Sequence, residues 1–352
     1  MSTNIADAVP RLKRLIPRLR GKRIGVLGDV MLDRYLWGTA SRLSPEAAVP
    51  VVDFVEQSAC LGGAGNVAAN ITALGARVEA FGVTGNDEPG RALQRCFRGT
   101  NIAHKGIIAD SKRVTTVKTR IIARHQQVVR VDHECREPLR AETQEKLLRI
   151  LFSSLKKLDV LVLSDYDKGL ISDDFADRVL SAAHQLRVPV FVKPKTSRLY
   201  AYRGARAIVC NAKEAWFIRV LGNEKSPEEA GRALLAHFGC SAVLITQGER
   251  GMSLFEEASP RHIQIPATSF EVTYARVGQP GIERGATGRQ VFDVTGAGDT
   301  VLGVLALAVA ARAPLADAAI LANIAAGVVV GKLGTASVNP QELLDALEDI
   351  RR

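Results

Sequence analysis

The residues best suited to chemistry form the segment DVTGAGDT at positions 293–300. Two glycines and an alanine precede Asp299, and an apolar run at 301–311 that is typical of a buried helix follows. The first N–H groups of a helix lack intrahelical partners and lie at its positive end, where phosphate groups bind. A carboxylate beside such a site repels the anion, unless it is there to accept a proton. This segment by itself leaves two interpretations open, a catalytic base and a helix-capping aspartate.

A second glycine-rich turn, GGAGN at residues 62–66, suits a hydroxylated ligand. Gly62 and Gly63 let a ligand approach the backbone, and the Asn66 amide both donates and accepts hydrogen bonds. Asp33 lies a few residues beyond the first predicted strand and can accept hydrogen bonds from sugar hydroxyls. An ordinary surface aspartate is the alternative interpretation of Asp33.

Charged and amide side chains also follow several of the predicted strands. Asp165 comes directly after a buried strand, and Lys193 and Lys195 follow the next one, where two cations suit a phosphate. Asn211 and Glu214 come after a third strand, at a spacing that lets both face one way on a first helical turn and hold a hydrated Mg²⁺. The carboxyl ends of the strands are where a doubly wound sheet binds its ligands.

A nucleotide fits the turn TQGERG at residues 246–251, which follows another predicted strand. Its residues with room for a phosphate or ribose are Thr246, Gln247, Gly248 and Gly251. The segment 274–290 holds four glycines, has no periodicity and leads directly into residues 293–300. It is either a solvent loop or a loop that closes over the nucleotide.

The elements that must position these residues alternate between short apolar runs and amphipathic segments. The pattern predicts strands at 23–27, 77–83, 159–163, 188–192, 205–209 and 242–246, and helices at 64–74, 175–185, 227–238, 301–311, 315–332 and 340–350. This order predicts an α/β fold, a doubly wound and mostly parallel sheet with helices on both faces. We expect one domain over residues 1–352. Two inserts, at about 34–60 and 112–133, are predicted to form a small antiparallel sheet with a turn near Arg124, which covers the site as a lid or pairs with a second copy.

Composition excludes several other classes of protein. No apolar run approaches the roughly 20 residues of a membrane span, and the five cysteines include no CxxC pair, which predicts reduced thiols in a cytoplasmic protein. The net charge of +10 would suit a nucleic-acid binder, but the basic residues are dispersed and only 5% of the residues are aromatic. An enzyme that handles small polyanions explains the charge equally well.

These motifs together resemble the ribokinase-type, or PfkB, family of carbohydrate kinases. The resemblance rests on residues 62–66, on the pair Asn211 and Glu214, and on the segment at 293–300, and it covers nearly the whole chain. Residues 28–35, 42–51, 164–169 and 325–335 are similar to the branch that phosphorylates D-glycero-β-D-manno-heptose 7-phosphate in the ADP-heptose pathway of lipopolysaccharide core biosynthesis. That branch is often fused to an adenylyltransferase, and here we expect a stand-alone kinase whose pathway partners are a separate phosphatase and adenylyltransferase.

The resemblance implies an ATP-dependent transfer of phosphate to the anomeric hydroxyl, with Mg²⁺, a monovalent cation such as K⁺ near the anion site, and a homodimer. Asp299 is the implied base, and Gly296, Ala297 and Gly298 the implied anion site. The implied sugar contacts are Asp33, Gly62, Gly63, Asn66 and Asp165, and the candidates for the sugar phosphate are Arg34, Arg124, Lys193 and Lys195. Asn211 and Glu214 hold the metal through water, and Thr246, Gln247, Gly248, Gly251, Gly298 and Asn323 contact the nucleotide.

Two departures from the family pattern affect the detailed contacts. Where similar sequences usually have Asp-Pro-Lys at a strand end, this chain has Lys193-Pro194-Lys195, and we expect Lys193 to reach the sugar phosphate. The segment 274–290 is longer than the usual link at this place. The alternatives that remain open are a kinase for fructose 6-phosphate or tagatose 6-phosphate, a non-catalytic nucleotide-binding regulator, and a nucleic-acid binder.

Overall fold

The computed structural model describes residues 5–123, 126–195, 201–219, 226–268, 294–332 and 334–351. Arg124 and the segment 274–290 lie outside these ranges. The strands are β1 (Arg23–Gly28), β2 (Val30–Leu43), β3 (Pro50–Gly63), β4 (Arg77–Gly85), β5 (Ile102–Asp110), β6 (Val117–Ala123), β7 (Gln126–His133), β8 (Val160–Ser164), β9 (Val190–Lys193), β10 (Ala207–Asn211), β11 (Ala242–Thr246), β12 (Met252–Glu256) and β13 (Ile263–Ile265). The helices are α1 (Val9–Leu15), α2 (Ala64–Ala73), α3 (Glu88–Arg98), α4 (Ala141–Leu155), α5 (Asp173–Gln185), α6 (Ala212–Arg219), α7 (Pro227–Phe238), α8 (Ala297–Ala310), α9 (Leu315–Val329) and α10 (Pro340–Arg351).

The main sheet has the order β13-β12-β11-β10-β9-β8-β1-β4-β5. The seven strands β11, β10, β9, β8, β1, β4 and β5 run parallel, and β12 and β13 add an antiparallel edge. The chain leaves β1 toward β4 and β5 on one side and later returns to β8 on the other. Such a reversal of strand order opens a crevice at the carboxyl ends of the strands. The predicted doubly wound, mostly parallel sheet is confirmed.

Helices cover both faces of this sheet and form two hydrophobic cores. One core joins the sheet to α1, α2, α8, α9 and α10, and the other joins it to α4, α5 and α7. Helix α8 is apolar on all sides, and every residue from Asp299 to Ala308 is buried, as expected for a helix with protein around it. The start of α8 is therefore held firmly beneath the carboxyl end of the sheet.

The two inserts form a separate four-stranded sheet in the order β3-β2-β6-β7, which we call the lid sheet. Strand β2 is antiparallel to β3, and β6 is antiparallel to β7. The predicted small antiparallel sheet is thus confirmed, and its two hairpins are joined by a parallel central pair, β2 and β6. Both strands leave the same edge of the main sheet, after β1 and after β5, and they therefore set out in the same direction.

The carboxyl ends of the central strands lie in register. Gly28 of β1 is paired with Ser164 of β8, and Ser164 is paired with Lys193 of β9. Asn211 of β10 is paired in the same way with Thr246 of β11. The side chains predicted for the site, which are far apart in the chain, therefore follow one edge of the sheet.

Candidate active site

Asp299 lies at the centre of this edge, in the first turn of α8. The helix begins after Gly296, whose φ of 84° places it in the left-handed region that glycine adopts at little cost. The Asp299 carboxylate is 3% exposed and accepts hydrogen bonds from three side chains. Oδ1 accepts from the Tyr166 hydroxyl at 2.5 Å and the Lys193 ammonium at 2.9 Å, and Oδ2 accepts from Asn66 Nδ2 at 3.1 Å.

The loop before Asp299 approaches its neighbours too closely for side chains at its glycines. A methyl group on Gly296 would lie 2.6 Å from Asn66 Nδ2, and one on Gly298 would lie 3.2 Å from Lys193 Nζ. The Ala297 N–H donates to the Val294 carbonyl at 3.3 Å. The Gly298 N–H makes no backbone hydrogen bond to the described residues, so it is the donor of this loop best placed for an anion.

The predicted sugar residues Asp33, Gly62 and Asn66 lie on the lid side of Asp299. Asp33 is buried, and its Oδ1 accepts a hydrogen bond from Arg120 at 2.7 Å. A methyl group on Gly62 would lie 2.4 Å from Asp33 Oδ2. Burial raises the pKa of Asp33, and the Arg120 charge opposes that rise. These contacts bring the glycine-rich turn, Asp33 and Asn66 to one place, as predicted.

A chain of hydrogen bonds fixes the orientation of the Asn66 amide. Thr300 Oγ1 donates to Asn70 Oδ1 at 3.0 Å, and Asn70 Nδ2 donates to Asn66 Oδ1 at 3.2 Å. The amide nitrogen of Asn66 is thereby turned toward Asp299.

Gly63, at the end of β3, has a φ of 57°, and a methyl group there would lie 2.4 Å from the Asp29 carbonyl oxygen. Gly62 and Gly63 are thus both needed for close packing of this turn.

Arg34 is not brought to the site. Successive side chains of a strand point to opposite faces, so Arg34 lies on the other face of the lid sheet from Asp33. Its guanidinium contacts Glu88 of α3 at 3.5 Å. The residues that share the Asp33 face are Lys118 and Arg120, which are paired in register with Asp33 and Tyr35. Arg124 lies outside the described residues, and its role stays a prediction.

Asp165 supports a loop and does not face the cavity. It is 1% exposed, its Oδ2 accepts from the Tyr202 hydroxyl at 2.5 Å, and its Oδ1 accepts from the Asp167 N–H at 2.8 Å. Asp29 holds the same loop, because its Oδ2 accepts from the N–H groups of Tyr166 and Lys168 at 2.8 and 3.2 Å. Burial and the nearby Asp165 charge raise the pKa of Asp29 to about 7. The predicted sugar contact of Asp165 is not supported by this geometry.

Lys193 and Lys195 each contact a carboxylate of the site. Lys193 binds Asp299 as described, and Lys195 Nζ donates to Glu214 Oε1 at 2.8 Å. The two ammonium groups lie 4.9 and 5.6 Å from the centre of the Tyr166 ring, on which both pack. Neither lysine is free for a distant sugar phosphate in this arrangement, although both border the space where a nucleotide phosphate would lie.

Asn211 and Glu214 form a reciprocal cap at the start of α6. The Asn211 N–H donates to Glu214 Oε2 at 3.0 Å, and the Glu214 N–H donates to Asn211 Oδ1 at 2.8 Å. With Lys195 on Oε1, both carboxylate oxygens already accept a donor. The described residues contain no cluster of three or more potential metal ligands. Among the described residues, the pair therefore does not form part of a direct ligand set for a metal ion.

The residues predicted for the nucleotide line one large cavity. Its volume is about 1000 Å³, and Thr246, Gln247, Gly248, Gly251, Gly298 and Asn323 are all among its walls. The Gln247 N–H donates to the Gly251 carbonyl at 2.8 Å and closes the turn. Asn323 is buried, and its Nδ2 donates to the Pro266 carbonyl at 2.8 Å, which shapes the cavity wall. The predicted nucleotide residues are thus gathered at one cavity.

A smaller cavity of about 230 Å³ is lined by Asp299, Lys193, Tyr166, Asn211 and Glu214, among others. The two cavities share Thr246, Val294 and Gly298 in their walls. A nucleotide in the larger cavity would direct its last phosphate toward Gly298, and Asp299 is the next residue. The arrangement puts the buried Asp299 carboxylate on one side of Gly298 and the large cavity on the other, a geometry that is compatible with phosphoryl transfer.

Three residues of the site were not singled out from the sequence. Tyr166 donates to Asp299, Arg120 pairs with Asp33, and Asp29 holds the loop that carries Tyr166. Burial and the Asp299 charge raise the pKa of Tyr166, so its hydroxyl remains a donor. Asp29 directly follows β1 and Tyr166 is the second residue after β8, and these positions at strand ends were an available signal. Nothing in the sequence pairs Arg120 with Asp33, because that contact depends on the register of two strands.

Comparison with known proteins places the chain among sugar kinases. The description pfkB family carbohydrate kinase matches residues 22–342. The chain is 42% identical over 325 residues to the bifunctional protein HldE of Geobacter metallireducens, covering 92% of this chain and 62% of that protein. It is 41% identical over 335 residues to the bifunctional protein HldE of Geotalea uraniireducens, covering 95% and 64%. The chain therefore spans less than two thirds of the length of these curated relatives.

Solved structures agree on the fold. Phosphofructokinase-2 from Escherichia coli, in complex with substrates and products, superposes with a TM-score of 0.72 at 17% identity and covers 94% of this chain and 100% of its own. Arabidopsis thaliana ribokinase, complexed with ribose and ATP, has a TM-score of 0.68 at 16% identity and covers 94% and 99%. The predicted ribokinase-like fold is confirmed. With this fold, this profile match and these relatives, the chain belongs to the pfkB family of carbohydrate kinases.

Proposed function

We propose that this carbohydrate kinase transfers the γ-phosphoryl group of ATP to the anomeric hydroxyl of D-glycero-β-D-manno-heptose 7-phosphate, giving the 1,7-bisphosphate for ADP-heptose and lipopolysaccharide core biosynthesis. One observation carries the reaction type: buried Asp299 lies between the sugar-side turn and the Gly298 junction of the two cavities. The finer substrate assignment is supported by the segments that resemble the heptose branch and by the relatives named HldE.

In the proposed reaction, Asp299 accepts the proton of the sugar hydroxyl through Oδ2. That oxygen has one side-chain donor, Asn66, whereas Oδ1 has two. Asp33 and the Gly62–Gly63 backbone orient the sugar, and the Gly298 N–H stabilises charge on the transferring phosphoryl group. Most of the catalytic effect of such a site comes from positioning and charge, which these rigidly held groups supply.

The distal phosphate of the substrate needs cations on the inner face of the lid sheet. Lys118 is placed there on β6, its side chain is 14% exposed, and it pairs with Asp132 at 3.1 Å. We assign the phosphate contact to Lys118. Arg124 stays a second candidate, predicted from the sequence. Arg34 lies on the opposite face of the sheet, so we assign it no contact with the phosphate.

ATP is the proposed cosubstrate, with Mg²⁺ neutralising its phosphates and Asn211 and Glu214 holding that ion through water. A crystal structure of Escherichia coli phosphofructokinase-2 is described as a complex with potassium. We propose a monovalent cation near the loop of Gly296, Ala297 and Gly298 in this chain as well. All five cysteines are free in the structure, which supports a reducing compartment such as the cytoplasm. The described helices include none that is long and apolar enough to cross a membrane.

A homodimer through the lid sheets is also proposed. Large apolar side chains project from this sheet, with Leu43, Phe54, Val55 and Val131 each more than half exposed. An exposed apolar sheet face of this kind is typical of a surface that another chain covers.

The reaction type is tested with Asp299→Asn. This variant is expected to bind ATP as the parent does and to lose turnover by a factor of roughly 10² or more, the usual effect of removing a positioned base. Exposed Asp177 on α5 provides the control, and Asp177→Asn should be fully active. Turnover of Asp299→Asn within a few-fold of the parent would refute the base assignment.

The substrate is tested by coupled assays of ADP formation across heptose 7-phosphate, fructose 6-phosphate and tagatose 6-phosphate. Phosphorus NMR of the product should locate the new phosphate on the anomeric oxygen. The highest kcat/KM is expected for heptose 7-phosphate. A preference for a hexose phosphate would overturn the substrate assignment while leaving the kinase chemistry intact.

A further inference from the structure

Lys193 lies at the end of β9, in a position that is unusual for a structural lysine. Its side chain is 14% exposed and enters the site from the carboxyl end of β9. The ammonium group lies 2.9 Å from Asp299 Oδ1 and 3.2 Å from the Tyr166 hydroxyl. It therefore contacts the proposed base directly.

The same ammonium group borders the place where the two cavities meet. A methyl group on Gly298 would lie 3.2 Å from Lys193 Nζ, and Gly298 lines both the nucleotide cavity and the cavity around Asp299. An ammonium group has three donors, and the contacts with Asp299 and Tyr166 account for two of them. Among the described residues no acceptor takes the third, and the ammonium group lies beside Gly298, where the last phosphate of a bound nucleotide would lie.

Lys193 stays protonated in this environment. Burial alone lowers the pKa of a lysine, but the Asp299 charge and the Tyr166 contact outweigh that effect, and the pKa of Lys193 is raised. The group is therefore an ammonium ion at any ordinary working pH. A fixed positive charge beside a transferring phosphoryl group is worth far more in a water-poor cavity than in solvent.

We propose that Lys193 is a catalytic residue that holds Asp299 through Oδ1 and donates a further hydrogen bond to the transferring phosphoryl group of ATP. This role rests on the phosphoryl transfer proposed above. The sugar hydroxyl gives its proton to Asp299 Oδ2 while its oxygen bonds to the γ-phosphorus, and the bond from that phosphorus to the β,γ-bridging oxygen breaks to release ADP. Lys193 keeps its proton throughout and balances charge on both sides of the reacting centre.

The proposal is tested by binding, with ADP alone and ADP with aluminium fluoride, a mimic of the transferring phosphoryl group, as probes. Calorimetry on Lys193→Met should show unchanged affinity for ADP and roughly 10²-fold weaker binding of ADP with aluminium fluoride, the scale of losing one such donor. Lys193→Arg, which keeps the charge, should lose much less. Lys157→Met, at an exposed lysine after α4, is the matched control.

A second readout separates a catalytic role from a merely structural ion pair. The donor acts on the transferring phosphoryl group and not on bound ATP, so Lys193→Met should lose kcat while its KM for ATP stays within a few-fold of the parent. Lys193→Arg should recover most of the lost kcat. Thermal unfolding of each variant checks that the fold is intact.

The outcomes separate the two proposals. If Lys193→Met binds ADP with aluminium fluoride as tightly as the parent does, Lys193 does not contact the phosphoryl group and its assignment is overturned, while the kinase proposal stands. If the parent itself shows no enhancement by aluminium fluoride, both proposals fail. If the variant is weakened as expected but heptose 7-phosphate is not phosphorylated, only the sugar assignment fails.

Discussion

Asp299 shares its two carboxylate oxygens among three side-chain donors. Burying a carboxylate is costly unless hydrogen bonds and a countercharge compensate, and Tyr166, Lys193 and Asn66 supply both. The donors are divided unequally, because Oδ1 accepts two of them and Oδ2 accepts the Asn66 amide. In the reaction proposed above, Oδ2 is therefore the oxygen that accepts the proton of the sugar hydroxyl.

Gly296 is a residue whose substitution should affect activity more than stability. Gly296→Ala would strain a backbone at φ 84° and bring its methyl group 2.6 Å from Asn66 Nδ2. Gly204 has φ 78° with no atom within 4 Å, so Gly204→Ala carries the strain without the collision. Both variants should lose about 1 kcal/mol or more in the free energy of unfolding, but only Gly296→Ala should lose turnover, by roughly 10-fold or more. Equal activity of the two variants in steady-state assays would contradict this.

Asp29 should make stability depend on pH. Its pKa is raised from 3.8 to about 7 in the folded protein, so the folded state holds the proton more tightly than the unfolded state between these values. The resulting contribution to stability is present at acid pH and is lost as the pH rises through about 7. Relative to the parent, Asp29→Asn should gain at least about 1 kcal/mol between about pH 5 and pH 8. Urea unfolding at both pH values measures this, and a constant difference would rule it out.

Among the structural elements, the two central strands of the lid sheet are joined by a buried ion pair. Arg120 of β6 binds Asp33 of β2, and the guanidinium also lies 5.4 Å from the centre of the Tyr35 ring. The side chains of both partners are less than a tenth exposed. This contact ties the two inserts together and sets the position of a predicted sugar ligand.

Arg120→Met should therefore impair both folding and sugar binding. Breaking a buried pair leaves Asp33 uncompensated and should cost about 3 kcal/mol or more, with the KM for the sugar raised at least roughly 10-fold. The ion pair of Arg130 and Asp132 in the same sheet is more exposed, and Arg130→Met should cost less than about 1 kcal/mol. Thermal unfolding and sugar titrations on both variants provide the comparison. Similar losses in both variants would show that burial of the Arg120 pair is unimportant.

In the whole molecule, the lid sheet presents apolar side chains to solvent, whereas Asp33 of the same sheet is buried. Phe54 and Val131, on strands β3 and β7, are 64% and 54% exposed. A dimer that covers them would also fix the lid sheet that carries Asp33. Assembly and sugar binding should therefore be linked.

The dimer is tested with Phe54→Glu combined with Val131→Glu. Sedimentation velocity should show a dimeric parent and a monomeric variant at micromolar concentration, because like charges would meet at an apolar interface. Leu186→Glu, at a 47% exposed leucine beyond the lid sheet, should remain dimeric. A parent that sediments as a monomer would refute the proposed dimer.

Much of the architecture followed from the sequence because it depends on local patterns. The apolar strands, the helices between them and the glycine turns before Asn66 and Asp299 each leave a signature in consecutive residues. Strand-end residues of a parallel sheet must lie along one edge, so the grouping of Lys193, Asn211 and Thr246 was also within reach. The parallel pairing of β2 with β6 was missed, since strand partners are decided by contacts between distant residues.

Residue types at short spacing were enough to predict the family, the doubly wound sheet and a glycine turn that leads into Asp299. The pairing of charged side chains became clear only in the folded chain. Lys193 contacts Asp299, and Lys195 contacts Glu214. Asp165 accepts a hydrogen bond from Tyr202, and Arg34 lies on the far face of the lid sheet, beside Glu88. Such pairings depend on strand register and on burial, which set distances between residues far apart in the chain, and no local pattern encodes them.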